Sequence, residues 1–312
     1  MEYRQLGHSG IEVSAFSLGS WLTYEFMPDQ ASLATIGQAV DAGVNFLDDA
    51  RYNDRTGQAP MKSGYSEVVF GRLLRKGGWP RNELIIANKL WYEFYPKESP
   101  EGELDGSLSR LQLDYIDLAY CVRPPEGLSV AEMVRQMDAL IKTGKLRQWG
   151  ILNWSVGEIE EAWQVAVDEN LMPPCAAQLA YSLLNRSEVE GAGTQKLFEK
   201  MGVGIVASYS LYGGLLTGKY QEMGEENGRF SAEDIEKMRQ RSLLKKVGRV
   251  VAIAKEVGCS PAQLALGYCL KNPQVASVLF GSTKVAQVEE NIATLAILSR
   301  IDDGVMVRLR NL

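Results

Sequence analysis

The sequence predicts a (β/α)8 TIM barrel with an N-terminal β-hairpin, formed as one domain over residues 1–312. Three observations predict it. Eight short β-rich runs recur along the chain, each followed by a helical pattern. The runs are near-continuously apolar rather than alternating, as expected of parallel strands buried on both faces. The length of 312 residues, 46% hydrophobic and 23% charged, suits a single α/β barrel. A doubly wound open sheet is the competing architecture, but no GxGxxG follows the first strand to support it.

The elements follow in chain order. YRQLGHSGIEVSA reads as a hairpin turning at His8-Ser9-Gly10, placed to cover the bottom of the barrel. Barrel strands are expected at 13–19, 44–49, 84–90, 115–122, 146–152, 176–182, 203–210 and 276–282. Helical patterns fill the gaps. In 130–145, Met133, Met137, Leu140 and Ile141 share one face, and the pattern ends near Gly144. The 155–170 segment opens with Ser155 and Glu158, a capping box. The 260–272 segment has Ser260 as cap, Pro261 at the first helical position and Gln263 three after the cap. Segment 211–245 reads as a loop plus part of a helix, and long loops on this face of a barrel are usually functional.

The net charge of −6, with basic residues scattered, argues against nucleic acid or an anionic membrane as the main partner. No apolar run reaches the length of a membrane helix, so membrane insertion is not expected. MEYRQLGHSG lacks an apolar signal core, which gives a cytoplasmic location as the expectation. Cys121, Cys175, Cys259 and Cys269 form no CxxC pair and read as buried free thiols. His8 is the only histidine, so no metal site is expected; it reads as a surface turn residue.

Five stretches carry a resemblance: YRQLGHSGIEVSAFSLGSW, SLSRLQLDYIDLAYCVRPP, GKLRQWGILNWS, LLTGKY and GSTKVAQVEENI. Together they resemble the aldo-keto reductase superfamily, most of all the branch of voltage-gated potassium channel β-subunits and their bacterial relatives. The resemblance implies NADP(H) bound across the C-terminal mouth of the barrel. GSTKVAQVEEN itself reads as a strand end running into a helix N-terminus, which favours a phosphate. By the resemblance, Thr283 and Lys284 would meet the adenosine phosphate. Glu290 and Asn291 would contact adenine, on one helix face with Gln287. Lys219 and Arg229 would meet the pyrophosphate, and Asn153 and Gln178 the nicotinamide carboxamide. Ser20, Trp21, Asp48, Tyr209, Leu211 and Gly281 complete the implied cofactor set.

The implied chemistry is hydride transfer between nicotinamide and a carbonyl carbon. A tyrosine donates the proton, tuned by an aspartate and a lysine, because a nearby ammonium favours phenolate. Asp48 and Lys89 match the aspartate and lysine. Other positions depart from the family pattern. Asn53 stands in the tyrosine slot, with Tyr52 one place early. Val122 stands where the family has histidine or asparagine. Ser208 stands in the slot of the aromatic that stacks on nicotinamide, with Tyr209 one place late. A one-residue slip along a strand turns a side chain to the other face.

The candidate catalytic set is therefore Asp48, Tyr52 and Lys89. Tyr65, or a water held by Asn53, is the alternative acid. The loop 53–66 looks longer than the family's usual connection, which could reset the local geometry. Trp21, Tyr24, Trp91, Tyr92, Phe94 and Tyr95 follow the first and third barrel strands. Their aromatic walls suit an apolar, aromatic or sugar-like substrate. The expectation is an NADP(H)-dependent oxidoreductase acting on a small carbonyl or sugar-like substrate. Two alternatives stay open: a catalytically weak NADP(H)-binding regulatory protein of the channel β-subunit type, and a repurposed sugar or metabolite oxidase. A homo-oligomer is compatible with the chain.

Overall fold

Ten strands and fourteen α-helices organise the described part of the chain. A computed structural model describes residues 1–222 and 230–312. Strands β1 (Tyr3–Gln5) and β2 (Glu12–Ser14) pair antiparallel as the N-terminal hairpin. The barrel strands are β3 (Phe16–Gly19), β4 (Phe46–Asp48), β5 (Ile85–Leu90), β6 (Ile116–Cys121), β7 (Leu146–Leu152), β8 (Ala176–Ala180), β9 (Gly204–Ser208) and β10 (Val275–Phe280). They close in the order β10-β3-β4-β5-β6-β7-β8-β9, all parallel. Closure excludes the open-sheet alternative.

The helices between strands are α1 (Asp29–Asp41), α2 (Tyr65–Gly77), α3 (Pro100–Leu111), α4 (Val130–Lys142) and α5 (Val156–Asp168). The short α6 (Ser187–Glu190) precedes α7 (Ala192–Met201). After β9 come α8 (Lys219–Glu222), α9 (Ala232–Gln240), α10 (Leu243–Val257) and α11 (Pro261–Leu270). The chain closes with α12 (Val285–Ile292), α13 (Thr294–Ile297) and α14 (Asp303–Arg310). The caps anticipated at Ser155 and Ser260 both form reciprocal boxes, each stabilising its helix start by about 1 kcal/mol.

All eight strand expectations fall on observed strands, with ends differing by a few residues. The run 13–19 divides at Ala15, its first residues closing the hairpin and the rest entering the barrel. Segment 211–245 holds more helix than expected. Ser231 and Asp234 form a capping box that starts α9, and α10 begins at Leu243. That box has the same spacing as the two recognised ones, with a shorter side chain, Asp234, in place of Glu158 or Gln263. Of the four thiols Cys121, Cys175 and Cys269 are buried, whereas Cys259 is only half-buried at the start of α11.

The core has two parts. The larger lies between strands and helices. The smaller joins Leu6 and Val13 of the hairpin to Phe46, Ala87, Leu118, Tyr120 and Val206. The hairpin thus seals the N-terminal end of the barrel. Gly7 allows this approach: its φ is +57°, and a Cβ there would lie 2.2 Å from the Cys175 carbonyl oxygen. The His8 Nδ1 lies 3.1 Å from the Gly202 carbonyl oxygen at the same turn. With one end closed, the loops at the C-terminal ends of the strands form the open mouth.

Candidate active site

The site starts from the ends of β4 and β5. Asp48 and Lys89 are the last and next-to-last residues of these strands, and both side chains are buried. Lys89 Nζ donates to Asp48 Oδ2 at 2.6 Å and to the Asp49 carbonyl at 3.2 Å. Gln178 Nε2, from β8 across the barrel, reaches Asp48 Oδ1 at 3.5 Å. Burial pushes the Asp48 carboxyl up, and the Lys89 ammonium opposes it. The structure therefore brings Asp48, Lys89 and Gln178 together.

Tyr52 lies in the loop after β4. Lys89 Nζ sits 5.6 Å from the centre of its ring. Trp21 and Trp91 flank the same ring, with centroids 6.5 and 6.2 Å away. The reason lies in the loop that follows. Asn53 bridges to Ser63, Asp54 N–H donates to the Lys62 carbonyl at 2.7 Å, and Gly64 N–H donates to the Tyr52 carbonyl at 2.9 Å. Residues 53–64 form a closed, hairpin-like excursion. It leaves Asn53 exposed and Tyr52 half-buried against Lys89. Burial pushes the Tyr52 phenol well above its usual value, and the charges of Asp48, Asp49, Glu25 and Glu67 add to that. Tyr52 is a protonated phenol throughout the neutral range. Tyr65 sits elsewhere, as the first residue of α2, interacting with Arg72.

Tyr209 also escapes strict alternation. Its φ of +56° lies in the left-handed region, so the strand geometry ends before it. The side chain is 37% exposed and packs on Tyr212, with centroids 4.9 Å apart. The expected flip to the opposite strand face therefore does not apply, because the residue is no longer in a strand. Asn153 follows β7 with φ +55°, its side chain exposed and its N–H bonded to the Gln178 carbonyl at 3.0 Å. Val122 follows β6, half-buried, with no side-chain donor to offer.

The remaining cofactor candidates divide between exposed and buried positions. Ser20 is buried, and its hydroxyl donates to Asp49 Oδ1. Trp21 is 46% exposed at the mouth, and Leu211 is half-buried. Lys219 Nζ lies 5.1 Å from the Tyr220 ring centre at the start of α8. Arg229 lies outside the described residues. Gly281, Thr283, Lys284, Gln287 and Glu290 are exposed, whereas Asn291 is buried. Glu290 and Asn291 are consecutive and so about 100° apart around the helix. Gln287 lies between them, so the three share one side of the helix, on which Gln287 and Glu290 are exposed and Asn291 is buried. Gln287 Oε1 accepts from Thr283 N–H at 3.0 Å. The Lys284 side chain makes no cap bond at the start of α12, and the buried Ser282 hydroxyl has no partner among the described residues. An uncapped helix start beside an unpartnered hydroxyl suits an anionic group, so the residues present fit a nucleotide phosphate.

Three features escaped the sequence reading. Glu103 of α3 accepts the backbone N–H groups of Trp91 and Tyr92 at 2.9 and 3.0 Å. Arg51 pairs with Glu98 and Glu103, at 2.9 Å each, and packs over Phe94. This clamp holds the aromatic loop after β5. Asp49 is fully buried, with Oδ2 unpartnered among the described residues. Burial and the Glu67 charge push its carboxyl well up. The pairing of Asp49 with the Ser after β3 had no local signal, since the two come from different strands.

A parallel eight-stranded barrel, sealed by a hairpin, with an Asp–Lys pair and a tyrosine at its mouth, defines a class that comparison with known proteins names. Residues 15–312 match the family model described as Aldo/keto reductase family, and the chain belongs to that family. Among curated proteins it is similar to a "Probable voltage-gated potassium channel subunit beta" of Oryza sativa subsp. japonica. The two are 36% identical over 323 aligned residues, covering 99% of this chain and 95% of that protein. A protein of the same description from Arabidopsis thaliana is 34% identical, covering 96% of this chain and 92% of that protein.

Proposed function

We propose that this protein is an NADP(H)-dependent oxidoreductase that transfers a hydride between nicotinamide and a small carbonyl or alcohol substrate, with Tyr52 as its acid. The observation that carries the proposal is the stack of Asp48, Lys89 and Tyr52: an ion pair at 2.6 Å with the tyrosine ring 5.6 Å beyond it. Bound NADP(H) supplies the hydride. The chain's own residues do the rest. Tyr52 gives its phenolic proton to the carbonyl oxygen in reduction and recovers one in the reverse direction. The Lys89 ammonium stabilises the phenolate left behind, and Asp48 holds Lys89 in place. Trp21 and Trp91 keep Tyr52 oriented and exclude water from its ring. Ser282, Thr283 and Lys284 at the start of α12 would hold the cofactor's phosphate end, and Asn153 and Gln178 its carboxamide. Val122 supplies no donor to the carbonyl oxygen, and one missing oxyanion donor typically costs about 10²–10³ in rate. The site therefore supports a slow reductase.

Val122 also supports a second reading. A nucleotide-binding protein with regulatory work and little turnover could forgo that donor, and the curated relatives are described as channel subunits. NADPH consumption with a panel of aldehydes, quinones and ketosugars separates the two. Turnover above a Lys89→Met control supports the reductase. Tight NADPH binding with turnover no higher than that control supports the regulatory reading.

A further inference from the structure

Tyr120 is a buried tyrosine that the proposed reaction does not use. It lies on β6 in register with Lys89 on β5. Its side chain has no exposed surface, and among the described residues its hydroxyl makes no close hydrogen bond, only a looser polar contact with Gln178. Lys89 Nζ lies 6.0 Å from its ring centre and 5.6 Å from that of Tyr52, so the ammonium is near both rings. The polar groups facing Tyr120 come from three strands: Asp48 on β4, Lys89 on β5, and Gln178 with the preceding Cys175 on β8. Asp48, for its part, faces Lys89, Gln178, Tyr52 and Tyr120.

A buried hydroxyl without a close partner is disfavoured, so its position near the Asp48–Lys89 pair calls for a physical reason. Asp48 shows an opening for it. Oδ2 is held by Lys89 at 2.6 Å, but Oδ1 has only the 3.5 Å contact from Gln178. That contact is at the outer limit of a hydrogen bond. We propose that Tyr120 is a positioning residue: its hydroxyl is the reserve donor that takes over Asp48 Oδ1 when Gln178 turns to the cofactor. The inference rests on the proposed function for its trigger. Its consequence is that Asp48 stays ionised, and Lys89 stays anchored, once the cofactor is bound. No bond is made or broken covalently, and no proton leaves Tyr120.

The test is Tyr120→Phe in the full chain, which removes only the hydroxyl. Proton uptake on NADPH binding is measured by calorimetry at pH 6 in two buffers of different ionisation enthalpy. The wild type is expected to bind without proton uptake. The variant is expected to take up a substantial fraction of a proton, because Asp48 loses Gln178 and has no substitute. The acid limb of its kcat/KM profile is expected to move up by about one pH unit, with the melting temperature of the cofactor-free protein unchanged or raised. Wild-type proton balance and a wild-type pH profile in the variant would overturn the inference. So would a variant that fails to fold, since the hydroxyl makes no close hydrogen bond in the cofactor-free protein. Because the proton balance is read from binding alone, it stands apart from turnover. The predicted balance without reduction of any carbonyl would sink the reductase and leave Tyr120 in place. Absence of NADPH binding would overturn both.

Discussion

Tyr52→Phe puts the most weight on the proposed chemistry. The ring is held by Trp21, Trp91 and Lys89 through contacts that phenylalanine keeps. Only the proton donor is lost. A general acid contributes roughly 10²–10⁴ in rate, or about 2.7–5.4 kcal/mol at 1.36 kcal/mol per tenfold. The expected outcome is a fall in kcat of that size with NADPH affinity unchanged. The assay is steady-state loss of NADPH absorbance with the best carbonyl of a substrate panel, alongside NADPH binding by fluorescence. Asn53→Ala is the internal comparison. Asn53 is exposed and bridges only to Ser63, so its loss should change the barrier by no more than about 0.5 kcal/mol. The reasoning is refuted if Tyr52→Phe keeps the wild-type rate while Asn53→Ala loses it. That result would return the acid to the position that family spacing assigns.

Three further outcomes are expected. Lys89→Met should abolish turnover above background. It should also destabilise the fold by about 3–5 kcal/mol in urea denaturation, because it leaves the buried Asp48 carboxylate unpaired. Asp49→Asn should gain stability relative to wild type as pH rises. The folded carboxyl is pushed above its unfolded value, so the wild-type contribution is fully present below the unfolded pKa and is lost as pH climbs towards the folded one. The slope is about 1.36 kcal/mol per pH unit, and paired urea titrations at pH 5 and 7 would expose a flat difference if the sign were wrong. Gly7→Ala should cost at least ~2 kcal/mol, since a Cβ there meets backbone atoms of Cys175, Gly202 and Gly204 at a positive φ. A melting temperature equal to wild type would show that the hairpin does not seal the barrel.

The barrel was legible because its strands are apolar on both faces and recur with capped helices between them. The pair Asp48 and Lys89 was legible because each sits at a strand end, where backbone geometry fixes the side-chain direction. Tyr52 and Tyr209 were harder to place. Both lie just past a strand end, and period-two reasoning stops there. At Tyr209 a left-handed residue resets the chain, and at Tyr52 the closed excursion from Asn53 to Ser63 does so. The burial of Asn291 was not legible for a simpler reason: spacing from Gln287 describes a helix face but not which neighbours cover it. Tyr120 and Asp49 carried no signal of their own. Their polar atoms gain meaning only from Gln178 and Ser20, which come from other strands.

Single-turnover reduction of one carbonyl substrate by NADPH-loaded protein, wild type against Lys89→Met, tests the central claim most directly. The Asp48–Lys89–Tyr52 arrangement predicts a measurable rate in the wild type and loss of at least about 10² in the variant. Equal rates in the two proteins, with NADPH bound equally well, would contradict it.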